Sequence, residues 1–339
     1  MIGQFSRSAE RKFAALDRRR LFSILYQLAL AGLIGFAAWY FVSNAARNLL
    51  ALGIAAGFGF LTREAGFEIG ETYLSYSAAD TYLRALTVGI LNTLRVSALA
   101  IVLSTMLGMF IALARLSNNW LLAKLAAAYV EVIRNVPLVV QLFFLYAVIT
   151  ESLPAPADAL NPIRGVFLSN RGIAFPIVAS ALPLELEYPQ FSGFNFTGGG
   201  SLSPEFTTLL LALSLYTAAF IAEIIRAGFS SVERGQVEAG YSLGLSQRQV
   251  TRFIVVPQAL RVIVPPVTSQ YLNCTKNSSL AVAIGYPDLV SIANTTINQT
   301  GQAIEGFLII MFVYLSISLA ISGFMNWYNR RVALRGSTA

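Results

Sequence analysis

The chain has 339 residues, 56% of them hydrophobic and only 12% charged, with a formal net charge of +7. An ordinary soluble domain carries about 25% charged residues, so the composition excludes that class and points to a membrane protein. With no histidine and one cysteine, Cys274, the chain cannot build a zinc site, a Ser-His-Asp triad or an internal disulfide.

Residues 1–20 carry Arg7, Arg11, Lys12, Arg18, Arg19 and Arg20, a basic tail that reads as an interfacial helix or a frayed end. Residues 21–42 hold no charge, and at about 1.5 Å per residue they cover the ~30 Å hydrocarbon core. That run exceeds the usual apolar stretch of a signal peptide, so it reads as a retained span. Residues 43–84 read as external. Within them the glycine-rich piece 49–61 is too short to span and reads as surface-lying or re-entrant. A second span is expected near 85–114, with Arg95 snorkelling toward the headgroups. A third covers 122–149, where Glu131 and Arg134 lie three apart on one helix face and are expected to pair. Residues 150–206, rich in proline and glycine, either contact an external partner or cap the bundle.

A fourth span covers 207–227 and leads into the loop 228–255. Ser230 with Glu233, and Ser246 with Gln249, have capping-box spacing, and Gly244 stands where a left-handed helix stop belongs. The loop therefore reads as a short helix, a glycine stop and a new helix bearing Val250, Phe253, Ile254 and Pro257 at helical spacing. The fifth span is expected to be interrupted. Pro265 and Pro266 remove two donors, a polar run from Asn273 to Ser279 follows, and Gly285-Tyr286-Pro287 breaks the pattern again. Polar breaks at membrane depth persist where they line protein or a watery cavity. A turn over 298–302 precedes a sixth span, 305–326.

The basic tail, Arg115, Lys124, Arg226, Arg234, Arg248, Arg252, Arg261, Arg330, Arg331 and Arg335 all fall on one side of this arrangement. The opposite loops hold Arg47, Arg63, Arg84, Arg164 and Arg171. The bias predicts both termini in the cytoplasm and an even number of spans. The positive charge is read as this bias and not as nucleic-acid affinity, because the bases are not gathered with aromatics on one surface. Lys12, Lys124 and Lys276 follow Arg11, Ala123 and Thr275, so the Gly-Lys pair of a phosphate-cradling loop is absent. Nucleotide chemistry must come from a partner.

The run Glu238-Ala239-Gly240-Tyr241-Ser242-Leu243-Gly244, followed by Ile254-Val255-Val256-Pro257, resembles the EAA loop of ATP-binding-cassette importer permeases. Gly240 stands for the second alanine of that pattern and Val256 for its leucine. Asn92-Thr93-Leu94, Glu131-Val132-Ile133-Arg134-Asn135-Val136-Pro137-Leu138 and Ala222-Glu223-Ile224-Ile225-Arg226-Ala227-Gly228 resemble the polar amino-acid branch of these permeases. Residues 272–290 are similar to the general L-amino-acid importers of proteobacteria, and the likeness extends over 83–331. It implies an all-α integral membrane protein with the type I importer fold: a five-helix core plus an N-terminal helix, about six spans. On it the chain divides into a cytoplasmic tail 1–20, an N-terminal helix and periplasmic segment 21–82, a permease core 83–331 and a C-terminal tail 332–339.

The resemblance also implies a bacterial inner-membrane complex. A second, paralogous permease subunit, two ATP-binding-cassette subunits that bind ATP and magnesium, and a periplasmic amino-acid-binding protein would join this chain in the lipid membrane. The chain would have no catalytic residue, metal or cofactor of its own and no nucleic-acid partner. Coupling to the ATPase is assigned to Glu238, Ala239, Gly240, Tyr241, Leu243 and Gly244, where the small Ala239 and Gly240 allow close seating in a groove and Glu238 supplies one charge. An ordinary cytoplasmic hairpin is the alternative. An L-amino acid needs acceptors for its ammonium and donors for its carboxylate, which Asn277, Ser278, Ser269, Asn273 and Thr275 offer. Lys276 pairs with a carboxylate of the substrate, with Glu131 or Glu223, or with the partner subunit; hydrogen bonding between helices is the other role for the whole set. A channel or secondary carrier would leave the loop without a purpose, and an intramembrane enzyme would lack chemistry.

Overall fold

The structure, a computed structural model, describes residues 2–51, 57–178 and 186–332. Up to Phe58 the chain forms one unit, built on a 50-residue helix, α1 (Ile2–Ala51). Its stretch Phe22–Asn44 is long and apolar enough to cross a bilayer. The basic tail and first expected span are thus one continuous helix. The expected surface piece 49–61 falls partly on 52–56, which lie outside the described residues.

The second unit begins at Gly59 and is organised around two helices, α2 (Tyr82–Arg115) and α5 (Pro204–Ser230), which pack on each other along most of their length. Both start on hydroxyl caps. Thr81 accepts the Arg84 amide, and Ser203 accepts the Phe206 amide at 3.0 Å with Pro204 in the first turn. The contact is close because the facing residues are small. A Cβ placed on Gly108 would lie 2.8 Å from Ile221 Cγ2, and Ala100, Ala112, Ala218, Ala219 and Ala222 are fully buried alongside. Small residues of this kind let membrane helices approach without a hydrophobic drive from water.

Between them in sequence, α3 (Trp120–Asn135) and α4 (Leu138–Ala147) meet at a bend of 103°. The single third span expected over 122–149 is therefore broken. Pro137 supplies the reason: the residue before it, Val136, is forced into extended backbone (φ −94, ψ 129), which ends α3. Gln141 closes the corner by donating its Nε2 hydrogens to Ile133 O at 2.8 Å and Val136 O at 2.9 Å. The expected Glu131–Arg134 pair is absent among the described residues; the Arg134 guanidinium lies 5.0 Å from the Phe220 ring.

The segment expected as a loop over 150–206 folds into short antiparallel strands. Strands β1 (Leu160–Ile163), β2 (Val166–Ser169), β3 (Gly172–Phe175) and β8 (Gly200–Leu202) form a sheet in the order β1-β2-β3-β8. Two small hairpins, β4 (Ile177–Val178) with β5 (Leu186–Glu187) and β6 (Gln190–Ser192) with β7 (Asn195–Thr197), complete it. Strand β8 runs straight into the cap of α5, so this end of the bundle is the strand-bearing end.

At the opposite end, α6 (Arg234–Ser242) and α7 (Gln247–Val250) form an elbow that leads through a π-helical turn, Thr251–Val255, into α8 (Val256–Asn277). Helix α8 runs through Pro265 and Pro266 without a break. The interruption comes later, where a 3-10 stretch, Ser278–Ile284, ends at Gly285 with φ +80. The turn expected over 298–302 is mostly helix: α9 (Leu289–Thr300) is capped by Asp288, which accepts the Ser291 amide at 2.8 Å, and stops at Gly301. The last helix is α10 (Ala303–Val332). Among the described residues five helices are long and apolar enough to cross a bilayer, or six crossings if the bent α3–α4 pair is counted as one span.

Candidate functional site

The elbow is built by backbone chemistry at both ends. At the end of α6 the Leu245 amide donates to Gly240 O at 3.2 Å and the Gly244 amide donates to Tyr241 O at 2.9 Å. This paired closure satisfies carbonyls the helix leaves orphaned, and it requires the left-handed backbone that Gly244 adopts at φ +77. Two residues on, Ser246 and Gln249 form the expected capping box, with the Ser246 amide donating to Gln249 Oε1 at 2.8 Å. The other expected box, Ser230 with Glu233, does not form. Helix α5 continues through Ser230, and Glu233 caps α6 with extended backbone and no side-chain bond.

Of the six residues assigned to coupling, Glu238, Ala239, Tyr241, Leu243 and Gly244 are exposed, and only Gly240 is buried. Leu243 is 81% exposed and Tyr241 48%, so two apolar side chains project from a short polar helix. Gly240 faces inward, where an added Cβ would lie 2.6 Å from Ile254 Cδ1 and 3.0 Å from Val250 Cγ2. The departure from alanine at this position therefore follows from the crowding of α6 against the chain entering α8.

The six residues assigned to substrate contact divide into two sets. Ser269, Asn273 and Lys276, at i, i+4 and i+7, share one exposed face of α8, with Asn277 half-buried where α8 meets the 3-10 stretch. Thr275 and Ser278 point inward, and their hydroxyls donate to Tyr271 O at 3.0 Å and Thr275 O at 2.7 Å. Among the described residues Lys276 pairs with neither Glu131 nor Glu223. Glu223 is held instead by Arg115 of α2 and by Arg226, whose Nη2 lies 2.6 Å away, a triad that ties α2 to α5 at the elbow end.

Sequence reasoning missed a second polar centre, at the strand-bearing end. Arg95 does not snorkel: its guanidinium lies 3.5 Å from the Tyr73 ring centroid and 4.5 Å from that of Phe206, and 3.5 Å from Glu71 Oε1. The Asn92 amide sits below, donating to Glu71 O at 3.0 Å and to Pro287 O at 2.9 Å. An arginine inside an apolar run was a signal for such a partner. The carboxylate that meets it is 24 residues away in sequence and is not marked by spacing.

The profile of the family described as "Binding-protein-dependent transport system inner membrane component" matches residues 104–334. The Escherichia coli K12 protein named "Putative amino-acid ABC transporter permease protein YhdX" is 46% identical over 375 aligned positions, covering 94% of each chain. The Rhizobium johnstonii "General L-amino acid transport system permease protein AapQ" is 44% identical and covers 92% of each. Among solved structures, a chain of "an amino acid ABC transporter with histidines" superposes with a TM-score of 0.55 at 28% identity, over 74% of this chain and 95% of that one. The chain belongs to the family of inner-membrane components of binding-protein-dependent transport systems, and its fold is that of a type I importer permease.

Proposed function

We propose that this chain is the permease subunit of an ATP-driven importer for polar L-amino acids of broad range. It supplies half of the pathway and takes its motion from a separate ATPase through the elbow. The observation that carries this reading is the rigid, doubly capped elbow bearing exposed Tyr241 and Leu243 next to Glu238. A short helix with two apolar knobs and one carboxylate fits a groove on a partner, and its closed ends resist flexing under load. The names of the relatives, which carry amino-acid transport, supply the cargo.

The elbow end faces the cytoplasm, as the basic residues at that end favour, and both termini lie there. Two ATP-binding subunits hold ATP and magnesium, a second and paralogous permease completes the pathway, and a periplasmic binding protein delivers the amino acid. Glu238, Ala239, Gly240, Tyr241, Leu243 and Gly244 transmit the stroke. Ser269, Asn273 and Lys276, with Asn277, line the path from the open face of α8. Thr275 and Ser278 point inward, with hydroxyls bonded to carbonyls of their own helical run, and take no part in that lining.

The test is uptake of labelled L-amino acid into vesicles. A Gly244→Val variant must hold a branched residue at positive φ, a strain of about 1–3 kcal/mol that the elbow relieves by changing shape. Uptake should be lost while membrane insertion is kept, and an ATPase should co-purify with the wild-type chain. Uptake at the wild-type rate in the variant would overturn the coupling role.

A further inference from the structure

At the strand-bearing end a cavity of about 400 Å³ has Glu71 in one wall and Arg171 in another. That volume lies in the range of small-molecule sites, roughly 300–1,000 Å³. Glu71 is fixed from behind. Its Oε2 accepts Ser203 Oγ–H at 2.6 Å, its Oε1 accepts Tyr73 O–H at 2.7 Å, and Arg95 stands 3.5 Å away. Burial pushes its carboxyl above the usual range, while the Ser203 bond and the charge of Arg95 pull it back.

Arg171 is different. It stands on the turn between β2 and β3, exposed, and takes part in no ion pair among the described residues. One anchored carboxylate and one guanidinium that has no ion pair among the described residues line a single cavity, and these are the two charges that a molecule with an ammonium and a carboxylate on one carbon requires. Guanidinium binds carboxylate through two parallel bonds, and neither end contacts the side chain. A second cavity, also about 400 Å³, shares Gly70, Glu71 and Ser203 with the first and extends to Gly285 and Pro287, where the fifth span is interrupted. Gly70, Glu71 and Ser203 therefore form the partition between the two cavities.

We propose that the first cavity is a receiving site for zwitterionic amino acids, with Arg171 taking the α-carboxylate and Glu71 the α-ammonium. It rests on the reading of the cargo as an amino acid. The arriving ammonium competes with Arg95 and Ser203 for the Glu71 carboxylate, which loosens the partition at the moment a ligand is present.

The test uses the whole complex purified with its co-expressed subunits, without the binding protein, and L-glutamine as probe because its side chain is uncharged. Calorimetry should show binding of L-glutamine and none of N-acetyl-L-glutamine or L-glutaminamide, each of which lacks one charge. Arg171→Ala should weaken binding about tenfold or more, and Arg171→Lys should recover part of it, as expected for a charge-assisted contact. Glu71→Gln should weaken it as well. Because Arg171 is on an exposed turn, its variants report on binding and not on folding. Wild-type affinity in Arg171→Ala, or no binding by a complex that still takes up L-glutamine, would overturn the receiving site alone. A wild-type complex, supplied with its binding protein, that takes up no amino acid would overturn the reading of the cargo, and this site with it.

Discussion

Gln141 holds the sharpest bend in the bundle with one amide. Its two bonds reach carbonyls that α3 leaves open as the chain turns at Pro137. Gln141→Leu keeps the volume but strands both acceptors, and the expected cost is about 1–3 kcal/mol. A lower thermal midpoint of the detergent-solubilised complex is the readout, and an unchanged midpoint would remove the staple from the account. Glu223 is a second such residue. Glu223→Ala leaves Arg115 and Arg226 facing each other, but the group is 25% exposed. The loss should therefore stay below the roughly 3–5 kcal/mol of a fully buried pair. At Gly240 the neighbour is the far end of Ile254, so Gly240→Ala should be tolerated with a small loss of uptake. Gly240→Val, whose two further methyl groups crowd the same pocket between Ile254 and Val250, should not. Equal uptake by the two variants would mean that the crowding does not matter.

The caps carry the elbow. Ser246→Ala and Gln249→Ala should each cost the elbow about 1 kcal/mol, and the double variant less than the sum, since the two side chains share the Ser246 Oγ–Gln249 Oε1 bond while each also makes one backbone bond of its own. Hydrogen exchange across α6 and α7 measures it; additive losses would show that the two side chains act separately. These caps were legible because capping is local, and the same holds for the starts of α2 and α5, which lie within a few residues of the expected bounds. The bend at Pro137 was visible as a residue type but not as an angle, since the turn depends on Gln141 reaching back across it. Helix α9 went unread although Asp288 and Gly301 bracket it as cap and stop, because Gly285 and Pro287 just before it suggested loop. Pro265 and Pro266 misled in the other direction. Both are exposed, and α8 continues through them.

At the scale of the whole molecule, the membrane class, the number of crossings and the elbow followed from apolar length and from one spaced motif. The strands of the 150–206 segment did not, because pieces of two to four residues have no periodicity to read. The open face of α8 gives a prediction for the assembled importer. Asn273→Cys, in a Cys274→Ala background, should cross-link to the second permease when ATP is withheld and lose that link when ATP is supplied. A link of equal yield in both states would place this face away from the moving pathway.

Asn92 bonds the Glu71 carbonyl with one amide hydrogen and the Pro287 carbonyl with the other, so a single side chain joins the strap of residues 59–81 to the corner below the broken span. A shift of that corner must then tug on the strap, which lies at the surface. A dye attached to the strap should brighten or dim when ATP is supplied to the complex, reporting from the strand-bearing end on events in a pathway it never enters.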